Sequence, residues 1–309
     1  MSRAVIYEKF GGPDVLELRE VAEPHAGPGQ VRIAVKAAGL NPMDWLISST
    51  PQVAGMFGVS VPAGFGYDFA GVVDEVGPGV EGFAAGDRVF GGAMAKAVAD
   101  FAIVSVPSTS VDALFHTPQG LSDQLASAVP TPGMTAAAAL EAIDVRAGQT
   151  VLIGGASGGV GVFAVQLAKL AGARVIGTAS PSTFDFLREL GAEPVAYGPG
   201  LADRVRASAP GGIAAATDLF GTEAAEAALE LGVPAERIST IAAGPNPPGG
   251  VRATGGAEAG PEALGRITGA IIDGTITVPI AATFPMEQVR AAVELQAGRH
   301  VHGKVLIVM

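Results

Sequence analysis

The stretch Thr150-Val-Leu-Ile-Gly-Gly155-Ala-Ser157-Gly158-Gly159-Val160-Gly161 passes from a short apolar run into a glycine-rich turn and opens the helix-like segment Val160–Leu170. Glycines at 155, 158 and 161 permit a tight turn and a close approach of backbone N–H groups to a pyrophosphate. The start of a helix adds roughly half a positive charge aimed at it. The spacing is Gly-x-x-Gly-x-x-Gly, which departs from the commoner Gly-x-Gly-x-x-Gly, and taken alone it reads equally well as a tight strand–helix turn. A second apolar strand, Arg174-Val-Ile-Gly-Thr178, follows one βαβ step later. That placement favours dinucleotide binding, with Gly155, Ser157, Gly158, Gly159, Val160 and Gly161 as the contacting residues.

Working outward, the region from about 123 to 273 alternates buried strands with Ala/Leu-rich helices. Pro194-Val-Ala-Tyr197, Ala215-Ala-Thr-Asp-Leu-Phe220 and Arg237-Ile-Ser-Thr-Ile241 are further strand-like runs, separated by Phe184–Leu190 and Glu223–Leu231. This is α/β punctuation and predicts a parallel, doubly wound sheet covered by helices on both faces. Pro245-Asn-Pro-Pro-Gly-Gly250 reads as a loop near its end. Residues 1–122 have a different texture. Val31–Lys36 alternates, Ala70–Val76 runs into the turn Gly77-Pro78-Gly79, and turn signals recur at short intervals as small barrels require. From 274 the pattern returns to strand, helix, strand (277–283, 286–296, 304–308), so the C-terminal segment is expected to rejoin the first domain.

The end of the second strand bears on which dinucleotide is bound. An Asp or Glu for the ribose hydroxyls usually stands about 20 residues past the glycines in NAD enzymes. Here the positions are Thr178-Ala-Ser180, and no acid occurs until Asp185. Thr178, Ser180, Ser182, Thr183 and Tyr197 offer hydroxyls to a 2′-phosphate, which makes NADP the expected cofactor. No Lys or Arg lies between Arg174 and Arg188 to strengthen such a site. The alternative is that these hydroxyls cap the next helix.

The 309 residues are 49% hydrophobic and 16% charged, enough apolar material for one large domain or two ordinary ones. A net charge of −11 disfavours nucleic acid and anionic membranes as partners and points to a small molecule. Residues 147–168 carry no charge, but five glycines between 154 and 161 argue against a membrane helix. Met1-Ser-Arg leads straight into the strand-like Ala4-Val-Ile-Tyr7 and not into a signal peptide, so a cytoplasmic protein is expected. Zero cysteines remove disulfides, thiolate zinc sites, iron–sulfur clusters and a cysteine nucleophile. Of the four histidines, His300 and His302 share a strand face but make a poor metal site on their own, so no metal is expected.

Phe10-Gly-Gly-Pro-Asp-Val-Leu-Glu-Leu18, Ala38-Gly-Leu-Asn41-Pro-Met-Asp44-Trp45, Gly66-Tyr67-Asp-Phe-Ala-Gly-Val-Val73, Gly86-Asp-Arg-Val-Phe90, Gly155–Gly161 with Ala164-Val-Gln-Leu-Ala-Lys169, and Gly303-Lys304-Val-Leu306 occur in this order along the chain. In order and spacing they resemble the zinc-free quinone oxidoreductase, zeta-crystallin-like branch of the medium-chain dehydrogenase/reductase superfamily. The resemblance implies a GroES-like β-barrel catalytic domain from residues 1–122 and 274–309. It also implies a Rossmann NADP-binding domain inserted at 123–273, an active-site cleft at their junction and a homodimer. Zinc alcohol dehydrogenases of the superfamily carry a cysteine ligand where this chain has Asn41, and a Gly-His-Glu histidine where it has Tyr67; neither replacement is a good zinc ligand.

Without a metal, oxidation of a simple alcohol loses its Lewis acid. Hydride addition to a quinone or α,β-unsaturated carbonyl needs only donors for the developing oxyanion. The resemblance therefore implies NADPH-dependent reduction of such an acceptor. Asn41 would orient the substrate carbonyl or the nicotinamide ribose, Tyr67 would donate to the oxyanion or deliver the proton, and Asp44 would fix the loop or a ribose hydroxyl. Tyr67 reads otherwise as a packed aromatic, and water can deliver the proton instead. By the same resemblance Thr135, Leu219, Phe220, Ile241, Ala242 and Lys304 fall among the cofactor contacts, the strand-end residues through backbone groups; each reads equally as core. Trp45 reads as barrel packing. A short-chain dehydrogenase is excluded because none of Tyr7, Tyr67 and Tyr197 has Lys four residues later. A biosynthetic enoyl reductase and a non-catalytic NADPH-binding protein stay open.

Overall fold

The computed structural model describes residues 1–244, 246–299 and 301–309; the loop reading at Pro245 and the His300 half of the histidine pair lie outside the described residues. The chain divides into two compact units, Met1–Thr131 with Ile280–Met309, and Pro132–Pro279. Both divisions fall a short way past 122 and 273, and packing explains each. The helix Asp123–Ser127, capped by the Ser122 hydroxyl, packs on the strand Gln30–Gly39 so tightly that a Cβ on Gly39 would lie 2.1 Å from the Ser127 carbonyl oxygen. At the other division the Gln166 amide both donates to the Thr277 carbonyl and accepts from the Thr277 N–H, each at 2.8 Å, tying that segment to the helix Gly159–Leu170.

In the second unit six parallel strands lie in the order Glu193–Ala196, Arg174–Ala179, Thr150–Gly154, Ala215–Asp218, Ile238–Thr240, Arg252–Ala253. The order reverses beside Thr150–Gly154, which is the doubly wound arrangement with its ligand crevice at the carboxyl ends of the strands flanking the switch. Val151, Leu152 and Ile153 are fully buried, as are Ala215 and Ala216, because helices cover both faces. The short last strand, Arg252–Ala253, has no apolar pattern and is not legible in the sequence. The uncharged window 147–168 is shared between a strand and a helix, and among the described residues no helix is long and apolar enough to cross a membrane.

The first unit curls a sheet in the order Ile280–Pro285, Lys304–Val308, Gln30–Gly39, Asp68–Val76, Arg88–Ala93, Asp112–His116, with Phe101–Ser105 also paired to Gln30–Gly39. Leu306, Ile307 and Val308 pair with Gly39, Ala38 and Ala37, so two segments far apart in sequence share one sheet. Val5, Ile33, Phe69, Val89, Val104 and Ile307 fill a common core, and Trp45 packs at its margin.

The glycines of the turn are not equivalent. A Cβ on Gly161 would meet the Gly155 carbonyl oxygen at 2.3 Å and the Ala156 carbonyl at 2.5 Å, whereas one on Gly158 would meet only the Gly155 oxygen at 3.5 Å. Gly161→Ala is expected to destabilise the chain by about 3 kcal/mol in urea denaturation, because backbone cannot yield as a side chain can. Gly158→Ala is expected to cost under about 1 kcal/mol.

Candidate functional site

The turn after Thr150–Gly154 is held from within. Gly155 adopts φ +69° and its N–H donates to the Thr178 hydroxyl at 3.0 Å, while the Ala156 N–H donates to the Thr178 carbonyl at 3.3 Å. Thr178 is therefore a buried brace for the turn and does not present a hydroxyl at the surface. The N–H groups of Ser157, Gly159, Val160 and Gly161 have no acceptor among the described residues, and they stand at the start of a twelve-residue helix. Four open donors on the positive end of a helix dipole form a site for a phosphate anion.

The neighbouring strand ends show the opposite bias. The carboxylate of Asp218, buried at the end of its strand, accepts from Phe220 and Gly221 N–H on one oxygen and from Ala224 and Ala225 N–H on the other. The Thr240 hydroxyl accepts from Ala242 and Ala243 N–H and donates to the Gly221 carbonyl. Leu219 N–H goes to the Gly154 carbonyl and Ile241 N–H to that of Asp218. The donors of Leu219, Phe220, Ile241 and Ala242 are thus consumed, and the carbonyls of Leu219, Ile241 and Ala242, which accept no bond among the described residues, are what this edge presents. Thr135 is nearly buried, on the helix Pro130–Ala142, with Gly256 packed against its hydroxyl.

At the end of Arg174–Ala179 the Ser180 hydroxyl bonds to those of Ser182 and Thr183, both at 2.9 Å, and it does not cap the following turn. Tyr197 is 56% exposed. Beside it Arg204 donates to the carbonyls of Ala196, Pro199 and Gly198 and clamps the turn that carries Tyr197. Arg204 lies outside the 174–188 window that shows no cation in the sequence.

In the first unit Asn41, Asp44, Tyr67 and Lys304 come together. Asn41 is the N-cap residue of the helix Pro42–Ser49, and its N–H donates to Asp44 at 2.8 Å, while its own side chain makes no cap bond. Its side-chain Nδ2 donates to Asp68 at 2.8 Å and to the Gly39 carbonyl at 3.2 Å, and its Oδ1 accepts from Lys304 Nζ at 2.6 Å. Both amide N–H groups are spent, so Asn41 cannot orient a substrate carbonyl as the sequence reading allowed. Lys304 is 2% exposed and also donates to the Leu40 carbonyl at 2.7 Å, which makes it a member of the barrel interior and corrects its placement among the cofactor contacts. Asp68, fully buried, accepts in addition from the Thr131 N–H and hydroxyl.

Burial pushes both acids upward, Asp44 to about 7 and Asp68 to about 6, against the pull of Lys304. It pushes Lys304 downward. Tyr67 is only partly buried; a Cβ on Gly92 would lie 2.2 Å from its Cζ and 2.6 Å from its hydroxyl, so the phenol rests directly on that glycine. Burial, then the charges of Asp68 and Asp112, push the phenol up to about 12, keeping it a proton donor. Its hydroxyl has no hydrogen-bond partner among the described residues. No group of three or more His, Asp or Glu side chains is disposed to hold a metal ion among them either.

Residues 27–107 match the alcohol dehydrogenase GroES-like domain and residues 159–255 the zinc-binding dehydrogenase domain. The structure superimposes on the quinone oxidoreductase of Coxiella burnetii with a TM-score of 0.86 and 28% identity, covering 100% of this chain and 99% of that one. The chain belongs to the medium-chain dehydrogenase/reductase superfamily, in its quinone oxidoreductase branch. Its two units are accordingly the GroES-like domain and the Rossmann domain of that superfamily. A mycobacterial protein solved in complex with NADPH superimposes with a TM-score of 0.83 and 25% identity over 100% of both chains. The pikromycin polyketide synthase component PikAII of Streptomyces venezuelae is 34% identical over 92% of this chain, which spans 8% of that synthase. Alignments to quinone oxidoreductases span 50–57% of their length.

Asp68, Asp218, Arg204 and Gly92 escaped the sequence reading. An acid closing an apolar strand just before an Ala-rich helix is a capping signal, so Asp218 could have been found; Gly92 carries none. Asp218→Ala leaves four N–H groups without their acceptor and is expected to cost about 2–3 kcal/mol by thermal denaturation. Asp218→Asn, which keeps both acceptor lone pairs on one oxygen, is expected to recover part of that loss.

Proposed function

We propose that this chain is an NADPH-dependent oxidoreductase that reduces a quinone or α,β-unsaturated carbonyl without a metal. The observation that carries the reading is the turn Gly155–Gly161, whose four open N–H groups at a helix start suit the cofactor's pyrophosphate. Gly155, Ser157, Gly158, Gly159, Val160 and Gly161 would hold that group. The open carbonyls of Leu219, Ile241 and Ala242 suit the amide N–H donors of a nicotinamide carboxamide, and the hydroxyls of Ser180, Ser182 and Tyr197 suit a 2′-phosphate; Thr183, expected to join them, is buried at 3% exposure like Thr178 and does not present its hydroxyl. When bound, NADPH supplies the hydride.

The chain's own part is to receive the negative charge. The Tyr67 hydroxyl is a free donor kept protonated by its surroundings, and it is suited to bond a carbonyl oxygen that becomes an enolate or hydroquinone anion. Gly92 sets where that hydroxyl stands. Asn41 and Asp44 fix the backbone around it and do not touch the acceptor. Asn41 and Tyr67 replace good zinc ligands with poor ones, which supports chemistry that relies on hydrogen-bond donors.

A second reading, an enoyl reductase acting on a larger conjugated thioester, is favoured by the superposition on the CurK enoyl reductase, with a TM-score of 0.85 and 25% identity over 100% of this chain, beside the alignment to a polyketide synthase component. Absorbance loss of NADPH and NADH, followed separately against quinones, small enones and enoyl thioesters, tests both. Turnover confined to thioesters selects the second reading, and tight NADPH binding without turnover on any acceptor defeats both. Tyr67→Phe is expected to lower kcat about 100-fold with NADPH affinity unchanged. Gly92→Ala keeps the hydroxyl but displaces it and is expected to reproduce most of that loss. Nearly full turnover in Tyr67→Phe removes Tyr67 as donor and leaves water in that role.

A further inference from the structure

Asp44, Asp68 and Lys304 are all buried, at 4%, 0% and 2% exposure, within one hydrogen-bonded cluster. Fully ionised, they would leave one uncompensated negative charge in an apolar interior, which desolvation strongly disfavours. Lys304 Nζ is bonded to the Leu40 carbonyl and to Asn41 Oδ1 and is in ion-pair contact with neither carboxylate, so the compensation is indirect. Such a cluster lowers its energy by holding one proton.

The hydrogen bonds decide which acid holds it. Asp68 accepts from Asn41 Nδ2, the Thr131 N–H and the Thr131 hydroxyl, an environment that favours the carboxylate. The Asp44 carboxyl accepts the Asn41 N–H at 2.8 Å and no side-chain donor among the described residues. It also lines a cavity of about 10 Å³, about the size that one water molecule requires, shared with the Tyr7 hydroxyl, which is buried without a partner. An acidic O–H on Asp44 therefore has somewhere to donate, and Asp68 has no need of one. The other charged groups near the helix Pro42–Ser49 are engaged elsewhere: Arg290 donates to the Leu16 carbonyl and Arg299 lies over the Trp45 ring, while Glu294 of the packed helix Val289–Ala297 is exposed.

We propose that this cluster holds one proton near neutral pH and that it resides on Asp44, so that the carboxyl near the Tyr67 backbone is uncharged while Asp68 and Lys304 balance each other. Loss of the proton places a full negative charge beside Tyr67 and works against an anion forming at its hydroxyl. That consequence rests on the role proposed for Tyr67; the protonation state does not.

Infrared difference spectroscopy of the whole chain against its Asp44→Asn variant at about pH 6 tests the proposal. The expected result is a carboxylic-acid C=O band in the wild type that is absent from the variant and fades as the pH passes about 7. A carboxylate signature at about pH 6 overturns it. Should Asp44→Asn fail to fold, NMR of the wild-type chain labelled at the aspartate carboxyl carbon decides the matter: a carboxyl assigned to Asp44 through its backbone correlations that is still protonated at about pH 6 upholds the proposal, and one already ionised there overturns it.

Stability supplies a second arm. The folded-state value of Asp44 lies above its ordinary 3.8, so the wild type is expected to lose thermal stability as pH rises from about 4 to about 7. Asp44→Asn is expected to lack the part of that fall due to Asp44, and an unchanged slope counts against the proposal. If acceptor turnover is found, kcat of the wild type should fall as the pH passes about 7 and stay flatter in Asp44→Asn. If none is found, the proposed function fails and the infrared band still decides the proton.

Discussion

Lys304 buries an ammonium ion in a barrel wall without a carboxylate in contact, and the first unit is arranged around compensating that charge. Its ammonium seizes Asn41 Oδ1, which turns the other end of the same amide toward Asp68, and Asp68 in turn takes both donors of Thr131. Because an amide has two unlike ends, a cation on one side and an anion on the other fix its orientation without ambiguity. Asn41 also starts the helix Pro42–Ser49, whose Asp44 binds back to it, so the loop 39–44 is locked from both directions. Tyr67 rises beside this platform with its ring on Gly92.

The second unit solves a different problem, which is to present backbone polarity selectively. A parallel sheet ends in many unpaired groups, and two polar side chains sort them: Asp218 and Thr240 absorb the donors on their side of the switch point. Donors remain open where glycines hold the turn 155–161. An edge sorted into a donor patch and an acceptor patch discriminates along the length of a ligand, which neither patch does alone.

The parts legible in the sequence are those whose information is local. The Gly155–Gly161 turn announces itself because strand, glycines and helix are consecutive, and the alternation of apolar runs gives the doubly wound order. The platform in the first unit was not legible: Lys304 and Asn41 are 263 residues apart, and nothing near either indicates that they meet. Asn41 was read as facing a ligand because relatives place a metal ligand there, but a buried cation and anion turned its amide inward. Thr178 was similarly read as facing outward; the need to brace Gly155 drew its hydroxyl under the turn. Gly92 is one glycine among 44, and only the ring lying on it shows why no other residue serves.

The pairing of Lys304–Val308 with Gln30–Gly39 also bears on the order in which the chain is assembled as it is synthesised. The first unit contains every strand up to Asp112–His116 early, yet the edge of Gln30–Gly39 from Ala37 to Gly39 stays unpaired until residue 308 has been made. The second unit depends on pairings within one stretch, 150–253, and can close first. Until then Asp44 and Asp68 have no lysine, and the half-built barrel carries both an exposed strand edge and an unbalanced pair of acids. The strand Lys304–Val308 supplies hydrogen bonds and counter-charge in a single step, acting as a latch that closes the first unit.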